Sequence, residues 1–97
     1  MKRSLNLAVL GIDHGHIFDM LDEMIKEGCN CNHFWTDGSP LTLKEFNKKY
    51  PNIKRIENKS EILKDDKIDM ILISSIPKNR ATLSIEALKS GKDVMVD

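Results

Sequence analysis

The segment GIDHGH, residues 11–16, holds the densest group of side chains that could do chemistry. It follows the apolar run LNLAVL directly and precedes a helical pattern. A turn between a strand and the start of a helix can bind an anion, because the backbone N–H groups and the positive end of the helix dipole point toward it. Two histidines in such a turn can also donate hydrogen bonds to phosphate. The same residues could instead bind a metal, or form a polar turn whose side chains cap the helix.

A loop that binds a dinucleotide typically needs three glycines. The first makes the tight turn, the second lets the backbone approach the pyrophosphate, and the third lets the helix pack close to the strand. Gly11 meets the first requirement, but Asp13 and His16 occupy the second and third positions, and Gly15 adds one more permissive position. A carboxylate at the second position repels phosphate unless it points away or is neutralised. The spacing therefore indicates a modified dinucleotide loop.

Asp37 is the second candidate for chemistry. It lies 26 residues after Gly11 at the end of the second predicted strand, where an acidic residue hydrogen-bonds the ribose of a bound adenosine. A carboxylate there disfavours a 2′-phosphate, so we expect NAD as cofactor. NADP stays open, because Ser39 beside it can donate to phosphate. The alternative is that Asp37 only begins a turn with Gly38.

Candidate metal ligands are few. They fall into two local groups, Asp13 with His14 and His16, and Cys29 with Cys31 and His33. Neither group is joined by a second cluster that would complete the three or four ligands of a zinc site, and small core cysteines are the simpler interpretation of the second group. No Ser/His/Asp or Cys/His arrangement suggests a nucleophile. We therefore expect no metal site and no catalytic residue within this chain.

These residues must be positioned by alternating strands and helices. Strands are predicted at 5–10, 30–36, 53–56, 69–74 and 93–97. Helices are predicted at 14–27 and 42–50, and a brief third helix is predicted to begin after Ser60, which can cap it. A fourth helix is predicted from an apolar stripe of Ala81, Ile85 and Leu88 that stops at Gly91, and Pro77 opens the turn before it.

Such alternation is typical of an α/β fold with right-handed crossovers. We expect a three-layer, doubly wound, Rossmann-like parallel sheet of about five strands in the order 3-2-1-4-5. The order reverses between strands 1 and 4, which opens a crevice at their carboxyl ends. The segments 11–16 and 74–80 flank that crevice, so a ligand is expected between them.

Composition narrows the class of protein. The 97 residues form one domain, and 15 basic residues balance 15 acidic ones, so nothing favours nucleic acid or an anionic membrane. No apolar run approaches the roughly 20 residues of a membrane helix. The basic start of the chain lacks the apolar core and cleavage site of a signal peptide, so a cytoplasmic protein with reduced cysteines is expected.

Several stretches together resemble a known family. They are LNLAVLGIDHGHI, TDGSPLTLKEFNKKYP, KSEILKDDKIDMILISSIP and RATLSIEALKSGKDVMVD, and they cover nearly the whole chain. In this order they are similar to the N-terminal, NAD(P)-binding Rossmann domain of the Gfo/Idh/MocA oxidoreductases. The resemblance implies hydride transfer to or from a sugar, polyol or related alcohol. It also implies cofactor contacts at Gly11, Ile12, Asp13, His14, Gly15, His16, Asp37, Ser75, Ile76, Pro77 and Arg80, with Arg80 standing where many members have His.

The resemblance also sets what this chain is expected to lack. The family's catalytic Lys lies in an acidic-Lys-Pro motif directly after the fifth strand, and Asp97 matches the acidic residue. We therefore expect residues 1–97 to be a dinucleotide-binding domain without its substrate domain, inactive alone and free to form a homo-oligomer through its exposed fifth strand. The rival hypothesis is a non-catalytic nucleotide-binding or protein-interaction module with the same half-fold.

Overall fold

Strands and helices alternate along the chain in the computed structural model, which describes residues 4–96. The strands are β1 (Asn6–Ile12), β2 (Asn30–Trp35), β3 (Lys54–Arg55), β4 (Met70–Ser74) and β5 (Asp93–Val96). The helices are α1 (His16–Lys26), α2 (Leu43–Lys49), α3 (Lys59–Leu63) and α4 (Pro77–Lys89). The predictions for residues 1–3 and for Asp97 lie outside the described residues.

The five strands form one parallel sheet in the order β3-β2-β1-β4-β5. This confirms the predicted fold class and places β1 at the centre, where the strand order reverses. β1 is buried along almost its whole length, as expected for a strand with helices on both faces. The carboxyl ends of β1 and β4 therefore lie side by side, each followed by a loop and a helix.

A bulge at the end of β1 decides which side chains meet. Leu7 and Val9 face α1 and α2, whereas Ala8 and Leu10 face α3 and α4. The pairing with β4 shifts register between Leu10 and Ile12, so Ile12 joins the Leu7 face although strict alternation would place it opposite. The extra residue at the bulge is Gly11, the first residue of the predicted loop.

Helix α4 corrects one sequence prediction. Pro77 is the first residue of the helix, where its missing N–H costs nothing, and so it does not open a separate turn. The helix buries Leu83 and Ala87, while Ile85 and Leu88 are 53% and 60% exposed. The Ala81-Ile85-Leu88 stripe was therefore wrongly predicted to be the buried face of α4. The helix carries two sets of apolar residues, and it packs on the sheet through Leu83 and Ala87.

Smaller corrections concern element ends. α1 begins at His16, not His14, whereas the predicted stop of α4 at Gly91, which has a φ of +81°, is confirmed. Asn58, not Ser60, caps α3, since its Oδ1 accepts from the Ser60 N–H at 3.0 Å. β3 keeps only two of its four predicted residues. Among the described residues, no helix is long and apolar enough to cross a membrane.

A polar cluster fastens α1 to the end of α2. The Tyr50 hydroxyl donates to Asp22 Oδ1 at 2.5 Å, and Lys49 Nζ lies 2.6 Å from Asp22 Oδ2. These hydrogen bonds, first from Lys49 and then from Tyr50, lower the pKa of Asp22 below its ordinary value of 3.8. Burial, followed by the hydrogen bond to Asp22 and the Asp22 charge, raises the pKa of Tyr50. The cluster closes over Phe18, whose ring lies 6.4 Å from that of Tyr50.

We expect Tyr50→Phe to lower the free energy of unfolding by about 1 kcal/mol at pH 7. Because the folded-state pKa of Asp22 is depressed, its contribution is present above the unfolded pKa and is lost as the pH falls below about 4. The gap between wild type and variant should therefore narrow at pH 3. Urea denaturation at both pH values measures it, with Asp66→Asn as an exposed acidic control. An equal gap at the two pH values would contradict the assignment.

Candidate functional site at the carboxyl ends of the strands

Gly11 brings the ends of β1 and β4 into contact. Its φ is +90°, and a Cβ built on it would lie 1.8 Å from Ser75 Oγ. Ser75 is only 3% exposed, so its hydroxyl has little room to move. A glycine is thus required at position 11 on two grounds, backbone conformation and close approach. The predicted first glycine of the loop is placed as expected, at the tight turn after β1.

The loops after β1 and β4 are joined by hydrogen bonds. The N–H groups of Asp13 and His14 both donate to the Ser74 carbonyl, at 2.7 and 3.3 Å. Ser74 Oγ donates to the His14 carbonyl at 3.2 Å, and Asp13 Oδ2 accepts from the Ile76 N–H at 3.3 Å. The Asp13 carboxylate is therefore directed to the β4 loop. Any anion at this loop would have to be bound by backbone groups beyond His14.

Those groups lie where α1 begins. Gly15 is the N-cap with helical φ and ψ of −63° and −16°, and this cap makes no side-chain hydrogen bond to the helix. The interpretation of the loop as side chains capping the helix therefore finds no support at the N-cap. Gly15 and His16 are exposed, and nothing lies within 4 Å of a Cβ placed on Gly15. The start of this 11-residue helix is thus open at the crevice, with the positive end of its dipole outward.

Two threonines that the sequence analysis missed hold the loop from the other side. Thr36 Oγ1 accepts from the Ile12 N–H at 3.4 Å, and the Thr42 hydroxyl donates to the Ile12 carbonyl. Thr36 is 3% exposed at the end of β2, and Thr42 is the N-cap of α2. A hydroxyl directly after one strand and another at a helix start were the available signals. They connect the loop at 11–16 to the turn that carries Asp37.

Asp37 lies in a cavity of about 270 Å³ between the end of β2 and helices α3 and α4. The lining residues are Trp35, Asp37, Lys59, Asn79, Thr82 and Leu83. Lys59 Nζ sits 5.4 Å from the Trp35 ring centre and 2.9 Å from Glu86 Oε1, so its charge is partly balanced. Asp37 itself is exposed. Only Asp37 of this group was a predicted site residue.

The predicted residues of the β4 loop take different places. Ser75 is buried against Gly11, whereas Ile76 is 44% exposed and Pro77 is exposed. Arg80 is half-buried on the first turn of α4, where its N–H donates to the Ile76 carbonyl at 3.0 Å. The structure thus joins the β4 loop to residues 13–14. Asp37 lies across β1 from them, at the end of β2.

The cysteine group lies at the opposite end of the sheet. Cys29 and Cys31 line a cavity of about 280 Å³ between α1, α2 and the start of β2, and both thiols are free. Burial raises the pKa of Cys31 to about 12, so this thiol stays protonated at neutral pH. Over residues 4–96, no group of three or more His, Cys, Asp or Glu side chains could hold a metal ion.

Comparison with known proteins finds matches among solved structures, but none among family models or curated proteins. No family model matches the chain, and no curated protein matches it. A provisionally assigned oxidoreductase from Erwinia carotovora atroseptica SCRI1043 superposes with a TM-score of 0.89 at 28% identity, over 96% of this chain and 28% of its own length. The chain therefore spans little more than a quarter of that protein.

Two further structures share the fold at lower identity. Biliverdin reductase from Synechocystis sp. PCC 6803, solved with biliverdin and NADP+, has a TM-score of 0.78 at 18% identity, over 95% of this chain and 28% of its own. A provisionally assigned dehydrogenase from Thermotoga maritima has 0.69 at 24% identity, over 95% and 27%. All three neighbours share the Rossmann-like fold, and the oxidoreductase at 28% identity is consistent with the resemblance found in the sequence to a Gfo/Idh/MocA-type Rossmann domain.

Proposed function

We propose that this domain binds a nicotinamide dinucleotide and that it serves an NAD-dependent oxidoreductase acting on a sugar, polyol or related alcohol. The observation that carries the proposal is the cavity at Asp37. It lies at the carboxyl end of β2, beside the point where the strand order reverses, which is where α/β sheets of this kind bind their ligands.

The adenosine half of the cofactor fits this cavity chemically. Trp35 and Leu83 supply apolar walls, while the Asn79 amide and the Thr82 hydroxyl offer hydrogen bonds. We propose that Asp37 accepts hydrogen bonds from the ribose hydroxyls. Its carboxylate disfavours a 2′-phosphate by charge, which supports NAD over NADP.

The pyrophosphate is assigned to the loop at 11–16 and the start of α1. The N–H groups of Asp13 and His14 already donate to Ser74, so we infer that Gly15 and the first turn of α1 form the anion contact. Ser75 and Ile12 are buried, and the N–H and carbonyl of Ile12 are already bonded to Thr36 and Thr42, so we infer that Ile12 shapes the loop and does not contact the cofactor directly. Ile76, Pro77 and Arg80 are proposed to border the cofactor from the β4 side.

When bound, the nicotinamide ring supplies the hydride chemistry. This chain's residues bind and orient the cofactor, and we propose that the catalytic Lys and the substrate site belong to a further domain of a longer protein. The neighbours, which are more than three times as long as the stretch they share with this chain, support that arrangement.

A second candidate is a module that binds no dinucleotide. The observation that favours it is the hydrogen bonding of Asp13 and His14 to Ser74 and Ile76, which ties up part of the backbone that such loops offer to phosphate. In that case the cavity at Asp37 would serve a smaller ligand or a protein partner.

Calorimetric titration of the chain with NADH, NADPH, AMP and nicotinamide mononucleotide tests the proposal. We expect NADH to bind, AMP to bind more weakly, and nicotinamide mononucleotide not to bind, because the cavity recognises the adenosine half. Binding by NADH and by the mononucleotide alike would contradict the adenosine assignment. If the folded protein binds none of the four, the module becomes the better account.

A further inference from the structure

Arg55 clamps the turn that carries Asp37. A single nitrogen of its guanidinium, Nη2, donates to the Thr36 carbonyl at 3.1 Å and to the Gly38 carbonyl at 2.6 Å. These are the residues immediately before and after Asp37. The side chain reaches them from β3, which pairs Arg55 with Phe34 on β2. Arg55 itself is exposed.

Few other hydrogen bonds hold the turn at 36–38 in the described part of the chain. Gly38 has a φ of +64° with open space around it, and residues 37–39 are exposed. The fixed point on the near side is Thr36, which is buried and accepts from Ile12. Without a hydrogen bond at Gly38, the backbone at Asp37 would be held only on the Thr36 side. The hydrogen bond from Arg55 to the Gly38 carbonyl holds it on the other side.

The guanidinium acts on the backbone and not on the Asp37 carboxylate. Within the described part of the chain, no ion pair joins Arg55 to Asp37. A carboxylate that was paired with Arg55 would present less negative charge to a ligand. The geometry therefore fixes the backbone on both sides of Asp37 and leaves its carboxylate without an ion pair to Arg55.

We propose that Arg55 is a positioning residue which, by fixing the turn at 36–38, sets the discrimination of this site between dinucleotides with and without a 2′-phosphate. The inference rests on the proposed function. It assigns specificity to a residue on β3 that does not line the cavity at Asp37. If the carboxylate moves freely, it both hydrogen-bonds the ribose less well and repels a 2′-phosphate less.

The test compares dissociation constants for NADH and NADPH in wild type, Arg55→Gln, Arg55→Lys and the control Lys54→Gln. Lys54 is the preceding residue on β3, also exposed, and its side chain points to the opposite face. We expect Arg55→Gln to weaken NADH binding by about tenfold. The affinity for NADPH should change less, so that the preference for NADH over NADPH becomes smaller. Arg55→Lys should retain part of the preference for NADH, because an ammonium keeps the charge and can still donate a hydrogen bond to the turn. Lys54→Gln should leave the preference unchanged.

A second arm shows that Arg55 acts through Asp37. In an Asp37→Ala background, Arg55→Gln should not change the ratio of the two dissociation constants further. Equal weakening of both ligands in Arg55→Gln, or a wider preference for NADH, would overturn the inference while the proposed function stands. Absence of binding by folded wild-type protein would overturn both. Circular dichroism of every variant confirms that the comparison is made on folded chains.

Discussion

Gly11→Ala is expected to destabilise the domain by about 3 kcal/mol or more, from two separate costs. A left-handed backbone costs an L-residue about 1–2 kcal/mol, and φ at Gly11 is +90°. The new Cβ would also lie 1.8 Å from Ser75 Oγ in the closed space between β1 and β4, and overpacking of that kind costs about 1–3 kcal/mol. Chemical denaturation at constant pH measures the sum.

The chain offers a matched control for the backbone cost. Gly28 has a φ of +97°, but a Cβ placed there would meet nothing within 4 Å. Gly28→Ala should therefore lower the free energy of unfolding only by the backbone cost, about 1–2 kcal/mol. The additional loss of stability in Gly11→Ala then measures the clash with Ser75.

A second variant isolates that clash even if Gly11→Ala folds poorly. Ser75→Ala removes Oγ and leaves the Ser75 Cβ, 3.1 Å away, as the nearest atom. The double variant Gly11→Ala/Ser75→Ala should be more stable than the two single losses predict, with a coupling of about 1–2 kcal/mol. Simple additivity would show that Ser75 does not define the space at Gly11.

Asp37→Ala is expected to weaken NADH binding by about ten- to a hundredfold. Hydrogen bonds to a charged group contribute about 1.5–3 kcal/mol, and Asp37 is the acidic residue lining the cavity that we propose for adenosine. NADPH should weaken less, because the variant also removes repulsion of the 2′-phosphate. Calorimetric titration with both ligands gives the two effects.

The control for this prediction is Asp66→Ala, which removes one exposed carboxylate that does not line the cavity and should change the affinity for neither ligand. The fold should be unaffected in both variants, since Asp37 is exposed in a turn. If NADH and NADPH keep their wild-type dissociation constants in Asp37→Ala, then Asp37 only begins the turn, and the adenosine assignment loses its principal support.

The architecture could be predicted closely because its signals are local. Continuous apolar runs mark β1 and β4, and positive-φ glycines stand after α1 and α4. Alternation of strands and helices then leaves few topologies, because crossovers are right-handed. The sheet order β3-β2-β1-β4-β5 follows from these features. The weak points were short elements such as β3, where two residues of pairing give little sequence signal.

The site could be predicted only in outline. Gly11 and Asp37 were found because each follows a strand, and parallel strands share one carboxyl edge. Trp35, Lys59 and Asn79 were missed, since nothing in their local pattern shows that β2, α3 and α4 meet around one cavity. Lys59 reads from sequence as a solvated helix residue.

The sequence by itself determined the doubly wound sheet, the glycine turn after β1 and an acidic residue at the end of β2. Tertiary structure alone decided where Asp13 points, which face of α4 is buried, and that Arg55 holds the Asp37 turn. The physical reason is range. Periodicity and turn chemistry act over a few residues, whereas Asp13 bonds to Ile76 and Arg55 to Gly38 across 63 and 17 residues. Such contacts exist only after the strands have packed side by side.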